Sequence, residues 1–220
     1  MERINIAIDG PSGSGKSSTA KLVAKELKII YLDTGAMFRA LALKAIRSEI
    51  DPLDEASVRQ MLENTIVDVK YDDGAMKLFL DGEEVSSKIR ENSVSKVASD
   101  ISSLKIVREK LIGLQREIAK NNDVILDGRD IGTVVLPNAK YKFFLTANSL
   151  ERAKRRHAEL LLKGENIPVD VILKEIEQRD YNDTNRVNAP LRRADDAILI
   201  DTTAHSLEEV AKIIIDKVGG

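Results

Sequence analysis

Gly10-Pro11-Ser12-Gly13-Ser14-Gly15-Lys16-Ser17 has the spacing G-x-x-x-x-G-K-S/T, and Ser18 places a second hydroxyl directly behind it. Residues 4–9 before this run form an apolar strand pattern, and residues 15–27 carry Leu22, Val23 and Leu27 at helical spacing. A strand, a glycine-rich turn and a helix are the context in which this spacing binds phosphate. The glycines let the backbone curl until its N–H groups converge on phosphate oxygens, while the helix N-terminus adds partial positive charge. Gly10 through Ser18 are therefore expected to cradle the phosphates of ATP. Lys16 would reach the β- and γ-phosphates, and Ser17 would offer its hydroxyl to Mg²⁺. A plain flexible turn is the alternative, and the agreement of strand, loop, lysine, hydroxyl and helix weighs against it. The motif points to a nucleotide without naming a reaction.

A site that passes a phosphoryl group between two anionic substrates needs cations beyond one lysine. In Asp33-Thr34-Gly35-Ala36-Met37-Phe38-Arg39 a strand end leads through Gly35 into a helix, giving either a second anion site or a helix cap with a surface arginine. Asp127-Gly128-Arg129-Asp130 follows an apolar strand, where an acidic residue of a nucleotide site sits; a tight turn with a solvated ion pair is the other reading. Arg179, Asp183 and Arg186 stand at i, i+4 and i+7, so a persisting helix sets them on one face, either toward one ligand or as an ion-paired solvated surface. Arg152, Arg155 and Arg156 either close over the donor phosphates as a lid or pair with Glu151 and Glu159.

Composition narrows the remaining chemistry. The 220 residues contain no cysteine, which excludes disulfides, thiolate metal sites and cysteine nucleophiles. His157 and His205 are the only histidines, leaving little for histidine catalysis. Net charge is −2 although 32% of residues are charged, so both signs are interleaved and nucleic acid is not an expected partner. The N-terminal segment, residues 1–9, lacks the apolar length of a signal peptide or membrane span, so a cytoplasmic protein with no membrane contact is expected.

Apolar strand runs at residues 4–9, 29–32, 123–126, 140–145 and 197–200 are separated by helical patterns at 15–27, 36–48, 54–62, 149–163, 169–183 and 206–218. Helical periodicity also resumes near residue 92, with Ser102 or Ser103 as N-cap of a long helix ending near Lys120. This order predicts an α/β fold of the P-loop NTPase type, with a doubly wound five-stranded parallel sheet. Within residues 65–85 the pattern turns to alternation around Asp72-Asp73-Gly74 and Asp81-Gly82, which predicts a small antiparallel β insert. The charged stretch 152–168, ended by Gly164 and Pro168, is the expected mobile helical lid. The whole is read as a single domain: core 1–63, 92–150 and 168–220, insert 64–91 and lid 151–167.

Four segments in order resemble the bacterial-type cytidylate kinase family of the nucleoside monophosphate kinase superfamily, along essentially the whole chain. They are residues 9–17, residues 32–39, the Asp127-Gly128-Arg129-Asp130-Ile131-Gly132-Thr133 run, and residues 179–191 ending Asn185-Arg186-Val187-Asn188-Ala189-Pro190-Leu191. The resemblance implies ATP-dependent phosphorylation of CMP and dCMP in pyrimidine nucleotide metabolism, by a monomer using Mg²⁺. It implies that Thr34, Arg39, Arg129 and Arg186 hold the acceptor phosphate, that Ser99, Arg108 and Asp130 bond the cytosine ring, and that Arg179 and Asp183 reach the pentose. Lys16, Arg129 and Arg186 would then be catalytic. Periodicity alone reads Ser99 and Arg108 as helical surface residues. The family commonly has Tyr where this chain has Phe38, so a role for that phenol is not carried over.

Overall fold

A computed structural model describes residues 3–219, the Asn92 side chain excepted; Met1 and Glu2 of the N-terminal pattern, and Gly220, lie outside the described residues. In chain order the elements are β1 (Asn5–Asp9), α1 (Lys16–Leu27), β2 (Ile30–Asp33), α2 (Thr34–Arg47), α3 (Glu55–Glu63), β3 (Val67–Asp72), β4 (Ala75–Leu80) and β5 (Glu83–Glu84). There follow α4 (Asn92–Ile101), α5 (Lys105–Asn121), β6 (Val124–Gly128), β7 (Tyr141–Thr146), α6 (Ser149–Leu162), α7 (Val169–Asn185), β8 (Ile198–Asp201) and α8 (Leu207–Gly219). The strands form a five-stranded sheet in the order β2-β6-β1-β7-β8 and a three-stranded sheet β3-β4-β5. The described residues divide into two compact units, one of Arg3 with Ile30–Val124, the other of Ile4–Ile29 with residues 125–219.

In the second unit β1 pairs in parallel with β7, Ile6 opposite Tyr141 and Asp9 opposite Phe144, and β7 pairs in parallel with β8. The apolar runs of β1, β6 and β7 are buried, with Ile6, Ile8, Ile125, Leu126, Phe143 and Leu145 at most 1% exposed, whereas β8 at the end of the strand order buries Ile200 and leaves Ile198 and Leu199 exposed. Such burial, about 1.5–3 kcal/mol for each large side chain, holds the strand ends in register. Helices α6 and α7 close over a separate cluster of Ala153, Leu160, Ile172 and Ile176. Among the described residues no helix is long and apolar enough to cross a membrane.

In the first unit β3 and β4 form the expected hairpin, Val67 opposite Leu80 and Asp72 opposite Ala75. Asp73 and Gly74 at the first turn, and Asp81 and Gly82 at the second, all have positive φ, the backbone that tight hairpin turns require and that Asp-Gly tolerates. Leu78 and Leu80 are buried, and α2 packs against β4 and α4.

Three local expectations are corrected. The long helix is not capped by Ser102 or Ser103: it begins at Lys105 with Leu104 at the cap position. Both serines instead finish α4, their hydroxyls donating back to the carbonyls of Ser99 and Asp100. Helix α2 starts at Thr34 rather than Ala36, because the Asp33 carboxylate accepts the Ala36 N–H at 2.7 Å and caps it. Helix α7 stops at Asn185, so Arg186 is extended (φ −63°, ψ 142°) and lies outside the helical face proposed for it with Arg179 and Asp183.

Candidate active site

The chemistry-bearing residues of the second unit gather at the carboxyl ends of its strands. Gly10 follows β1 with φ 144°, and a Cβ there would stand 1.9 Å from the Leu145 carbonyl oxygen, so only glycine allows the backbones this close. Gly15 at φ 85° forms the left-handed residue that launches α1. Lys16, the first helical residue, is 5% exposed and curls back over the loop, its Nζ donating to the Pro11 carbonyl at 2.5 Å and to Ser14 Oγ at 3.3 Å. Burial pushes its amino group down to about 7; Arg129 adds to the fall, while Asp127, Asp9 and Asp183 oppose it. Such an amine gains most from a phosphate placed beside it.

Ser17 Oγ donates to Asp127 Oδ2 at 2.7 Å, so the P-loop hydroxyl and the acid at the end of β6 form one oxygen-rich pair. A hydroxyl beside a carboxylate is a donor set that fits Mg²⁺, which takes one or two protein oxygens and fills its octahedron with water and phosphate.

Two residues on, Arg129 Nε donates to Asp183 Oδ2 at 2.7 Å, and both side chains are largely buried. Burial works against the Arg129 charge, yet Asp183, Asp127 and Asp180 leave its pKa above the ordinary guanidinium value. Burial likewise raises Asp183, but Arg129, Arg179 and Arg186 hold its carboxyl below the usual range. Arg186 donates to the Ala189 carbonyl at 2.6 Å and to Asp130 Oδ1 at 3.4 Å. Arg129, Asp130, Asp183 and Arg186 are thus brought together, with Arg179 close enough to act on Asp183; the extended backbone after α7 serves where a helical face was expected.

Asp9 had no place among the sequence candidates. Its two oxygens accept the N–H groups of Ile131 and Gly132, each at 2.7 Å, and anchor a π-helical turn, Ile131–Val135, that begins directly after Asp130. A Cβ on Gly132 would meet Lys142 Cδ at 3.2 Å and Asp9 Oδ2 at 3.4 Å, so the turn is clasped from both sides. The only local signal was an acid ending an apolar strand just ahead of the glycines. Burial pushes the Asp9 carboxyl up to about 6 against the two N–H donors; Asp130 assists and Lys16 opposes. Between about 4 and about 6 the folded chain therefore holds this proton more tightly than the unfolded chain, and ionising it costs stability as pH rises. Thermal unfolding of wild type and Asp9→Asn should show the wild type losing stability relative to the variant across that window and no further trend above it. A relative gain with rising pH would contradict burial as the dominant cause.

The three arginines expected in a lid have distinct partners. Arg152 is buried against Ser12, Ala147 and Asp180, and Arg155 donates to the Thr202 carbonyl at 2.6 Å. Arg156 pairs with exposed Glu159 at 3.3 Å, as the ion-pair reading expected, whereas Glu151 pairs with Lys154.

The first unit carries a second group. Arg39 donates to Asp33 Oδ2 at 2.9 Å over the N-terminus of α2, and a Cβ on Gly35 would come 3.1 Å from its guanidinium nitrogen, so glycine leaves room for the arginine. Thr34, beside it, is buried. Arg108, read from periodicity as a surface residue, is instead 4% exposed, its guanidinium carbon 5.6 Å from the centre of the Phe38 ring. A cation over an aromatic face needs no phenolic hydroxyl, and Phe38 suffices for that contact. Ser99, on α4, is half-buried.

The cytidylate kinase family model matches residues 6–219. A cytidylate kinase of Caldicellulosiruptor bescii is 51% identical over 216 residues, covering 98% of this chain and 96% of that protein. One from Fusobacterium nucleatum is 46% identical over 218 residues, covering 99% and 98%. Among solved structures, an uncharacterized protein from Eubacterium ventriosum superposes with a TM-score of 0.52 at 12% identity over 99% of both chains, which speaks for the fold alone. With the family matched from Ile6 almost to the C-terminus and relatives sharing about half its residues, this chain belongs to the cytidylate kinase family.

Proposed function

We propose that the chain transfers the γ-phosphoryl group of ATP to CMP and dCMP, with Mg²⁺, yielding ADP and the nucleoside diphosphate. The observation that carries this reading beyond family membership is the cluster of Arg129, Asp183 and Arg186 in the same unit as Lys16, close enough for Arg129 to depress the lysine pKa. A phosphate oxygen of the acceptor attacks the γ-phosphorus while the bond to the bridging oxygen of ADP breaks, so catalysis is positioning and charge stabilisation with no covalent enzyme intermediate. Loop amides from Gly10 to Ser18 and Lys16 hold the donor. Ser17 and Asp127 would hold Mg²⁺, which would supply charge neutralisation to the donor phosphates. Thr34, Arg39, Arg129 and Arg186 grip the acceptor phosphate, Ser99, Arg108 and Asp130 read the base, and Arg179 and Asp183 reach the pentose. Lys16, Arg129 and Arg186 supply the catalytic charges. We read the insert as part of the acceptor site, residues 151–167 as a lid anchored at its buried Arg152 end, and the enzyme as a cytoplasmic monomer acting on small nucleotides rather than nucleic acid.

A coupled ADP-release assay over CMP, dCMP, UMP, AMP and GMP at fixed ATP and Mg²⁺ tests this: CMP and dCMP should stimulate ADP formation most, and stimulation by none would overturn it. Asp130→Ala should raise KM for CMP at least about tenfold, the scale of a lost charged hydrogen bond, with little change for ATP. Equal weakening of both would remove Asp130 from the acceptor site.

A further inference from the structure

Arg152 stands on the first turn of α6, yet its side chain is 5% exposed. Its Nε donates to the Ala147 carbonyl at 3.0 Å, one terminal nitrogen to the Ser12 carbonyl at 2.9 Å and to Asp180 Oδ1 at 3.2 Å, and the other to Asp180 Oδ2 at 2.5 Å. Four donor contacts are committed inside the unit, and a residue that swings over the phosphates would have to break them. Resting on the donor-site reading above, we propose that Arg152, braced by Asp180, is a positioning residue for the phosphate loop: it fixes the Ser12–Gly13 peptide so that the Gly13 amide faces the nucleotide.

The planar peptide group couples the two ends of the Ser12–Gly13 link. In a trans peptide the C=O of one residue and the N–H of the next point in opposite directions, so a hydrogen bond that pins the Ser12 oxygen also aims the Gly13 N–H the other way. Around Gly13 a flip would otherwise be easy, because its φ of 75° lies in the region glycine visits freely. Gly13 also lets the clamp come close: a Cβ there would lie 3.2 Å from Arg152 Cβ, so the arginine stem packs flat against the loop. The planar guanidinium suits the task, since it can grip a carboxylate with two donors and still present others to carbonyls, which an ammonium on a flexible stem cannot. Asp180 supplies the fixed carboxylate, and it lies on α7 one turn before Asp183, the partner of Arg129. One helix thus braces both the donor loop and the arginine assigned to the acceptor phosphate.

The test uses Arg152→Lys in the full chain, with two readouts that need no acceptor: the Gly13 amide resonance and its hydrogen exchange in the nucleotide-free protein, and the Kd for ADP by titration calorimetry. The expected result is a displaced, faster-exchanging Gly13 amide and an ADP Kd raised about tenfold, the loss of one charge-assisted hydrogen bond. If Arg152→Lys does not fold, Asp180→Asn serves the same readouts, with a smaller shift in the same direction because Arg152 retains the Ser12 and Ala147 carbonyls. An unchanged Gly13 amide with an ADP Kd within about twofold of wild type overturns the proposal. So does a loss confined to ATP, with ADP unaffected, which is the signature of an arginine that touches the γ-phosphate. Because neither readout involves an acceptor, failure of the acceptor assay leaves this result interpretable.

Discussion

Lys16→Ala is expected to lower acceptor-dependent ADP formation by about 10³-fold or more, since on the proposed reading it removes the loop's side-chain cation for the transferring group. The same change should not unfold the protein. Burial pushes the Lys16 amine from its ordinary 10.5 to about 7, so the free fold penalises the charge. The unfolded chain binds this proton more tightly between about 7 and about 10.5, so stability attributable to Lys16 rises with pH through that window and the penalty is complete below it. Lys16→Met, which keeps the aliphatic stem, should therefore melt at or above the wild-type temperature at pH 7, and its advantage should vanish as pH approaches 10. Near-native turnover in the alanine variant would count against the donor site. A methionine variant that gains stability relative to wild type as pH rises would count against the buried-charge account.

Arg129→Ala should damage both turnover and fold. A cation that stabilises a transferring phosphoryl group is worth about 10³-fold or more, and kcat should fall on that scale. Removing the arginine also strips Asp183 of its 2.7 Å partner inside the protein, where an abandoned charge costs about 3–5 kcal/mol. For a chain of this size that lowers the melting temperature by roughly 10 °C. Changing Asp183 as well removes the stranded charge, so Arg129→Ala with Asp183→Asn should be markedly more stable than the sum of the single losses predicts. Arg129→Lys should recover stability better than kcat, because an ammonium restores the charge but not the fork geometry. Wild-type kcat in Arg129→Ala would remove that residue from the catalytic group, and strictly additive stabilities would remove Asp183 as its structural partner.

What could be read from the chain in advance was what short segments decide for themselves. The phosphate loop was legible because its glycines, lysine and hydroxyl lie within one run flanked by a strand and a helix. The hairpin was legible because Asp-Gly pairs at 73–74 and 81–82 carry the positive φ that tight turns need. Helix ends were less so. Ser102 and Ser103 look like N-caps, and only the fold shows that their hydroxyls turn back to finish α4. Arg186 fits a helical face by spacing, but α7 ends one residue earlier and its guanidinium reaches Asp130 from an extended segment. Asp9 was missed altogether, and Arg108, a candidate only through the family resemblance, was taken by periodicity for a surface residue; both have the same physical reason. The N–H groups that donate to Asp9 come from residues 131 and 132, and the ring under the Arg108 guanidinium is that of Phe38, seventy positions earlier in numbering. Neither relation leaves a periodic trace around the residue concerned.

The central claim is that the loop around Lys16 and the group of Arg129 and Arg186 serve one reaction, the first with the donor and the second with the acceptor. An inhibitor joining adenosine and cytidine 5′ to 5′ through a chain of phosphates tests it directly by its inhibition pattern. The account predicts competition against both ATP and CMP, with binding weakened by Lys16→Ala and, separately, by Arg186→Ala. Competition against ATP alone, with binding indifferent to Arg186, would contradict it.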